Sequence, residues 1–276
     1  MQAIDPGSTG TALFINIVAS ALFALAVLVG ERLYSRIAHR NPAYRKWRLL
    51  AIVSAWIVAN IAVYAFLSGW PVFLLITSIT LSVTLFNELN QFWQIGLVGA
   101  DREVRGGIDY GTALGMCQHS FSFLGIGASK LTQNQKAFRD VIDRCNRATP
   151  VRLLLGRPDA VELERFAQMA GKDKDSYKRT VTESLRFIAR LRNGEAKNIS
   201  VRFYEQFPAF RLMFIDESIC LMSYYIMGKG DGSNLPQLHV VKTPGSQDTQ
   251  ALYFGFAEYF EKIWNNSNEW DFKEFL

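Results

Sequence analysis

Two patterns of apolar and polar positions divide the chain. Up to about residue 90 the apolar positions run almost without interruption, and beyond it they recur with the short periods of strands and helices. No charged residue falls within Thr11–Gly30 or within Leu49–Asn87. Twenty apolar residues make a helix about 30 Å long, the thickness of a bilayer's hydrocarbon core. The pattern predicts membrane spans over 11–30, 49–67 and 71–89, with Ser68-Gly69-Trp70-Pro71 as the turn between the last two, and a transmembrane domain over 1–93. No positive charge precedes the first apolar run, so it is not expected to be a cleaved signal peptide.

The segment between the first two spans holds Arg32, Arg36, Arg40, Arg45, Lys46 and Arg48 against Glu31. Basic loops stay on the cytoplasmic side. Three spans place the C-terminal part in the cytoplasm beside that loop; two would place it outside. Cys117, Cys145 and Cys220 lack paired spacing and fit a reducing compartment, which favours three. The expectation is a multi-pass protein of the cytoplasmic membrane with the lipid bilayer as its first partner.

In the third span Thr77, Thr80, Thr84 and Asn87 are spaced to share one helical face. They either line a pore in a homo-oligomer or pack helices together through small hydroxyl residues. Glu88 is expected where the span meets water.

Residues 94–114 read as a connecting segment, with Asp101, Arg102, Glu103 and Arg105 on a solvated helical neck that ends at Gly106-Gly107. A domain over 115–276 follows. Strands are predicted over 120–125, 151–155, 199–204, 211–215, 219–225 and 238–241, and helices over 133–147, 161–170, 176–191 and 253–264. This order predicts a mixed α/β sheet between helices.

The net charge of +5 is modest and largely placed in the basic loop, so nucleic acid is not an expected partner. His39, His119 and His239 stand far in sequence from the cysteines, and neither a metal site nor a cofactor is expected.

Candidate chemistry centres on 207–225. Arg211, Met213 and Ile215 share one strand face, with Leu212, Phe214 and Asp216 on the other and a hairpin turn at Asp216-Glu217-Ser218. A lone basic residue on an apolar strand needs a partner: an acid or an anionic ligand. This segment, with the strand before it, resembles the phospholipase D superfamily. Its members carry His-x-Lys-x4-Asp on a strand and the following turn, and two copies face each other so that the histidine attacks phosphorus. Laid on this chain, the aspartate position is Asp216, the lysine position Arg211 and the histidine position Ala209. The glycine-serine-asparagine run that usually follows is degraded: Ser223 lies near it, but Tyr224, Tyr225 and Ile226 occupy its place. The resemblance covers about 119–266 and implies N-terminal transmembrane α-helices joined to a cytosolic phospholipase-D-like α/β domain. It is closest to the single-copy, degenerate members in bacterial sensory and regulatory proteins, which implies a bacterial inner membrane.

Further candidates follow the strands. Ser129 and Lys130 succeed the glycines of 125–127 at a helix start, where backbone N–H groups favour an anion, although a plain strand–turn–helix connection gives the same sequence. Arg157 follows the second strand, at the end where ligands of parallel sheets collect. His119 is the candidate to replace the missing nucleophile, and His239 reads as a core or edge residue.

Three functions remain open. In the first, the domain is a pseudoenzyme sensor that binds a phosphate-bearing or nucleotide ligand, or a partner, and controls assembly or permeability of the spans, as in a stress or phage-defence effector. The second is a membrane-anchored phosphodiesterase or phospholipase acting through His119 or a symmetry mate. The third is an oligomeric scaffold.

Overall fold

The computed structural model describes residues 70–145, 149–194, 198–205, 208–226, 232–243, 251–272 and 274, with isolated positions between 10 and 61. The chain divides into two compact units, Met1–Gln91 and Phe92–Leu276. The expected spans 11–30 and 49–67 lie largely outside the described residues. Those of their positions that are described, such as Phe14, Ile17, Trp56 and Ile57, are helical.

Helix α1 (Trp70–Gln94) runs five residues past the expected end of the third span. Among the described residues it is the one helix long and apolar enough to cross a membrane, over Phe73–Gln94. Leu75, Ile79, Val83, Phe86 and Leu89 are exposed along it, which sets it apart from the core helix of a globular domain. The Thr77, Thr80 and Thr84 hydroxyls donate to the carbonyls of Phe73, Ile76 and Thr80 at 2.9–3.0 Å, so each is satisfied within its own helix. Thr77 also accepts from Trp56 Nε1 at 3.2 Å. Thr77 and Thr84 are buried and Asn87 is exposed. Glu88, expected in solvent, is buried.

The second unit is built on an eight-stranded sheet in the order β1-β7-β6-β5-β2-β3-β4-β8. The strands are β1 (Leu97–Asp101), β2 (Phe121–Gly125), β3 (Val151–Gly156), β4 (Ile199–Tyr204), β5 (Phe210–Ile215), β6 (Ile219–Tyr224), β7 (Gln237–Val241) and β8 (Asn268–Glu269). Strands β2, β3 and β4 are parallel. The run β5–β6–β7–β1 is antiparallel and joins the parallel part through β5 against β2.

Helices α2 (Tyr110–Met116), α3 (Ser129–Gln133), α4 (Gln135–Arg144), α5 (Val161–Met169) and α6 (Ser176–Gly194) cover one face, and α7 (Leu252–Asn265) covers the other. Each strand feeds both layers through its period of two. On β5, Met213 and Ile215 pack with Phe121, Phe123 and Leu153, while Leu212 and Phe214 pack with Leu124, Phe260 and Trp264.

The segment 94–107 is not the expected helical neck. Its first part is β1, which pairs Asp101 with Gln237 and Leu97 with Val240, and a short 3-10 turn follows at Val104–Gly106. The charges of 101–105 suggested solvation, yet Asp101 turns inward: it accepts from the Ile108 N–H and meets His239 Nε2, both at 2.8 Å. Asp109 then caps α2 by accepting from the Thr112 N–H at 2.8 Å. The segment that was expected to connect is thus part of the domain.

Candidate anion-binding cavity

The alternation of β5 that sends Met213 and Ile215 into the helical layer sends Arg211 there too. Arg211 is 3% exposed. Its Nη1 donates to the Tyr110 hydroxyl at 2.6 Å and to the Gly232 carbonyl at 3.1 Å. Its Nε and Nη2 are buried without a hydrogen-bond acceptor. A buried guanidinium with unmet donors is costly unless an acceptor arrives.

Arg211 is one of the residues that line a cavity of about 260 Å³. Beyond the end of β2, Ser129 and Lys130 line it; from the α5–α6 side come Lys172, Ser176, Tyr177 and Thr180. Three cationic side chains thus line the cavity, and among the described residues no carboxylate, imidazole or thiol does. The first turn of α6 adds the partial positive charge of a helix N-terminus. Tyr225 closes one wall and is pinned by accepting from the Ile126 N–H at 3.0 Å. Burial pushes its hydroxyl far above the ordinary tyrosine value, so it stays protonated. Lys172 Nζ lies 4.8 Å from the centre of the Tyr177 ring.

The candidates read from sequence separate into several places. Arg211, Ser129 and Lys130 meet in the cavity. Ser223 is opposite Arg211 in the β5–β6 register, but its hydroxyl donates to the Pro236 carbonyl at 2.7 Å and holds the loop before β7. Arg157 is engaged elsewhere, by Asp159 and Glu274, each at 2.8 Å.

Asp216 is not a ligand of the cavity. It lies past the far end of β5, where its carboxylate accepts from the backbone N–H groups of Gln118, His119 and Ser120 at 2.7–3.1 Å. Burial raises its pKa, but these hydrogen bonds outweigh that and hold it below the usual carboxylate value. His119 is exposed at that same end and does not reach the Arg211 donors. Asp216 and Glu217 both have positive φ, 51° and 53°, the backbone of a tight hairpin turn.

Tyr110, Lys172, Ser176, Tyr177, Thr180 and Tyr225 escaped the sequence reading. They come from four separate segments, and only Tyr225 had a sequence signal, its place in the degraded motif.

A larger cavity of about 480 Å³ opens on the α7 face. There Arg152 is already paired with Glu261 at 2.7 Å and bonded to Ser122 at 3.1 Å. It offers no orphaned donor.

A family profile described as a domain of unknown function (DUF5919) matches residues 114–270. The chain belongs to this family. The DUF5919 segment runs from the end of α2 to β8 and contains Arg211, Lys130 and Lys172. Tyr110 and β1 precede it, so the hydroxyl that holds Arg211 comes from outside the family segment. No curated protein matches the chain. The solved structures similar to it include two named proteins. One is Nuc, a phospholipase D family member from Salmonella typhimurium, at 12% identity and a TM-score of 0.37, covering 58% of this chain and 88% of that one. The other is phosphatidylserine synthase of Haemophilus influenzae, at 10% identity and a TM-score of 0.38, covering 59% of this chain and 37% of that one. Both are too distant to assign an activity.

Proposed function

We propose that this protein is a membrane-associated receptor whose phospholipase-D-like domain binds a phosphate-bearing ligand at Arg211 without cleaving it. The observation that carries this reading is the buried guanidinium with Nε and Nη2 unmet, on a residue that lines a cavity together with Lys130 and Lys172. A phosphate group supplies the acceptors those donors lack, and arginine is suited to grip it through two oxygens. Arg211 stands at the lysine position of the degenerate motif, while the nucleophile position is Ala209. The described lining holds no group that would form a phospho-enzyme bond with an activating base beside it. Phosphodiester cleavage through His119 has no geometric support, because His119 stands at the other end of β5.

The exposed apolar length of α1 supports a place in the membrane, and the basic loop at 31–48 supports a cytoplasmic domain. Gly232 and Ser233, which border the cavity, lead through three residues into β7; β7 pairs with β1, and β1 follows α1 after two residues. This chain of connections supports a signalling role, in which ligand binding biases the assembly or permeability of the membrane segment in a homo-oligomer.

The test is calorimetry of the full-length protein in detergent with inorganic phosphate, beside a phosphodiesterase assay on bis(p-nitrophenyl) phosphate. The reading expects binding that is lost in Arg211→Gln and no turnover. Steady turnover, or binding unchanged in Arg211→Gln, refutes it.

A further inference from the structure

Resting on the membrane part of that reading, we infer that the outer surface of the α5–α6 pair lies against an anionic phospholipid bilayer. The first observation is charge. Helix α6 carries Lys178, Arg179, Arg186, Arg190 and Arg192 against one acid, Glu183. Its apolar side is spent on the core, where Val181, Leu185 and Ile188 are buried. Lys178, Arg186 and Arg190 are exposed and fall on one ridge of the helix, at multiples of four residues. Arg179 is met by Asp173 at 3.1 Å, and Arg192 lies 3.5 Å from the centre of the Phe272 ring. Lys178, Arg186 and Arg190 have no carboxylate within ion-pair distance among the described residues. Helix α4 adds Arg139, whose guanidinium is 6.0 Å from the centre of the Phe187 ring on α6. The opposite layer differs. On α7 Glu258 and Glu261 outnumber Lys262, and all three are paired, Lys262 with Glu258 and Glu261 with Arg152, each at 2.7 Å.

The second observation is apolar. Beside α6, helix α5 exposes Val161 and Met169, 62% and 55%, with exposed Arg165 midway between them on the same ridge. Leu163 and Phe166 hold the other side of α5 in the core, and the Phe166 ring lies 5.0 Å from that of Tyr177 on α6, so the two helices present one outer surface. The acids of α5, Glu162 and Glu164, lie in its first turn, where they offset the helix dipole. Large apolar side chains set among cations suit a surface that enters the headgroup region of a bilayer. The backbone of a nucleic acid would use the cations and leave Val161 and Met169 in water.

The linkage supplies the third argument. Strand β1 follows α1 after two residues, so the domain is tethered to the membrane that α1 enters, at a high effective concentration. Each Lys or Arg near an anionic surface adds about fivefold to binding. A few such residues hold an untethered domain weakly, and they suffice for a tethered one.

The experiment places the full-length protein in nanodiscs of phosphatidylcholine alone or of an equal mixture with phosphatidylserine. All three cysteines of the chain are buried, so a fluorophore can be attached at one introduced on the surface. Gln168→Cys, exposed on α5, reports the α5–α6 surface, and Asn265→Cys, exposed at the end of α7, reports the opposite layer. Quenching by a lipid with a spin-labelled headgroup reads the distance of each from the bilayer. The expected result is quenching at position 168 and not at 265, present with phosphatidylserine, weak without it and removed by high salt. Arg186→Gln combined with Arg190→Gln, both at exposed positions outside the core, should weaken docking about 25-fold. Quenching that is equal in the two lipids, equal at the two labels or unchanged in the double variant overturns the inference. So does an oligouridylate that binds through Arg186 and Arg190 more tightly than the anionic surface does, which would make this a nucleic-acid face. Carbonate extraction separates the two levels. A protein that leaves the membrane refutes the membrane reading, whereas one that stays while position 168 is unquenched refutes the docking alone.

Discussion

Arg211 Nη1 donates to the Tyr110 hydroxyl at 2.6 Å, across 101 positions of sequence, and the guanidinium it holds keeps Nε and Nη2 buried without an acceptor. A buried guanidinium with two unmet donors is costly to the fold.

The first prediction concerns that tension. Arg211→Met keeps volume and removes a buried charge with unmet donors, a change that is often neutral or stabilising. Thermal melts without phosphate should show the variant no less stable than the natural protein. Added phosphate at a hundred times its Kd should stabilise the natural protein by about 2.7 kcal/mol and leave the variant unmoved. A marked loss of stability in the variant without ligand would mean that Arg211 is a structural residue.

Asp216 ties the start of β2 to the β5–β6 turn. Asp216→Asn keeps a side chain that tolerates positive φ and removes the charge, and should cost about 1 kcal/mol in urea unfolding. The acid dependence follows from its depressed pKa. The contribution of Asp216 is present above the unfolded carboxyl value of about 3.9 and is lost as pH falls through the lower folded value. Unfolding followed from pH 6 to pH 2 should show a weaker acid loss in Asp216→Asn, with phosphate binding at pH 7 unchanged.

Gly96 connects α1 to β1 with φ of +83°, donating its N–H to Trp93 and accepting at its carbonyl from Val241. A Cβ there would lie 2.5 Å from the Val241 carbonyl oxygen, a backbone atom that cannot turn away. Gly96→Ala should destabilise the domain by about 1–3 kcal/mol. Limited proteolysis should then cut more readily beside β1 and β7; an unchanged cleavage pattern would argue against this junction.

Ile79 is exposed midway along α1. If the helix lies in lipid, Ile79→Lys should cost about 2.5–3.5 kcal/mol of insertion. Carbonate extraction of membranes should move the variant towards the soluble or aggregated fraction, while Ile79→Leu stays with the membrane. Equal retention of both would place this helix outside the hydrocarbon core.

Much of the domain was readable locally. The strands β2 to β7 and the helices α4 to α7 follow from apolar periods of two and of three to four, because each must bury one face on the same sheet. Strand β1 was not readable, since its five residues carry a turn-like glycine and an aspartate and become a strand only through β7, some 140 positions away. Glu88 reversed its expected exposure because helix rotation is decided by packing partners, which composition does not name.

The sequence by itself determined the long uncharged stretches, the alternation of β5 that buries Arg211 and the absence of a histidine at position 209. Those are properties of residue type and spacing. Only the tertiary structure decided that Arg211 meets Lys130, Lys172 and Tyr110 while Asp216 turns away to the backbone of 118–120. The strand order brings distant segments to one end of the sheet, and a strand of six residues, extending about 3.3 Å per residue, keeps its two ends too far apart to share a site.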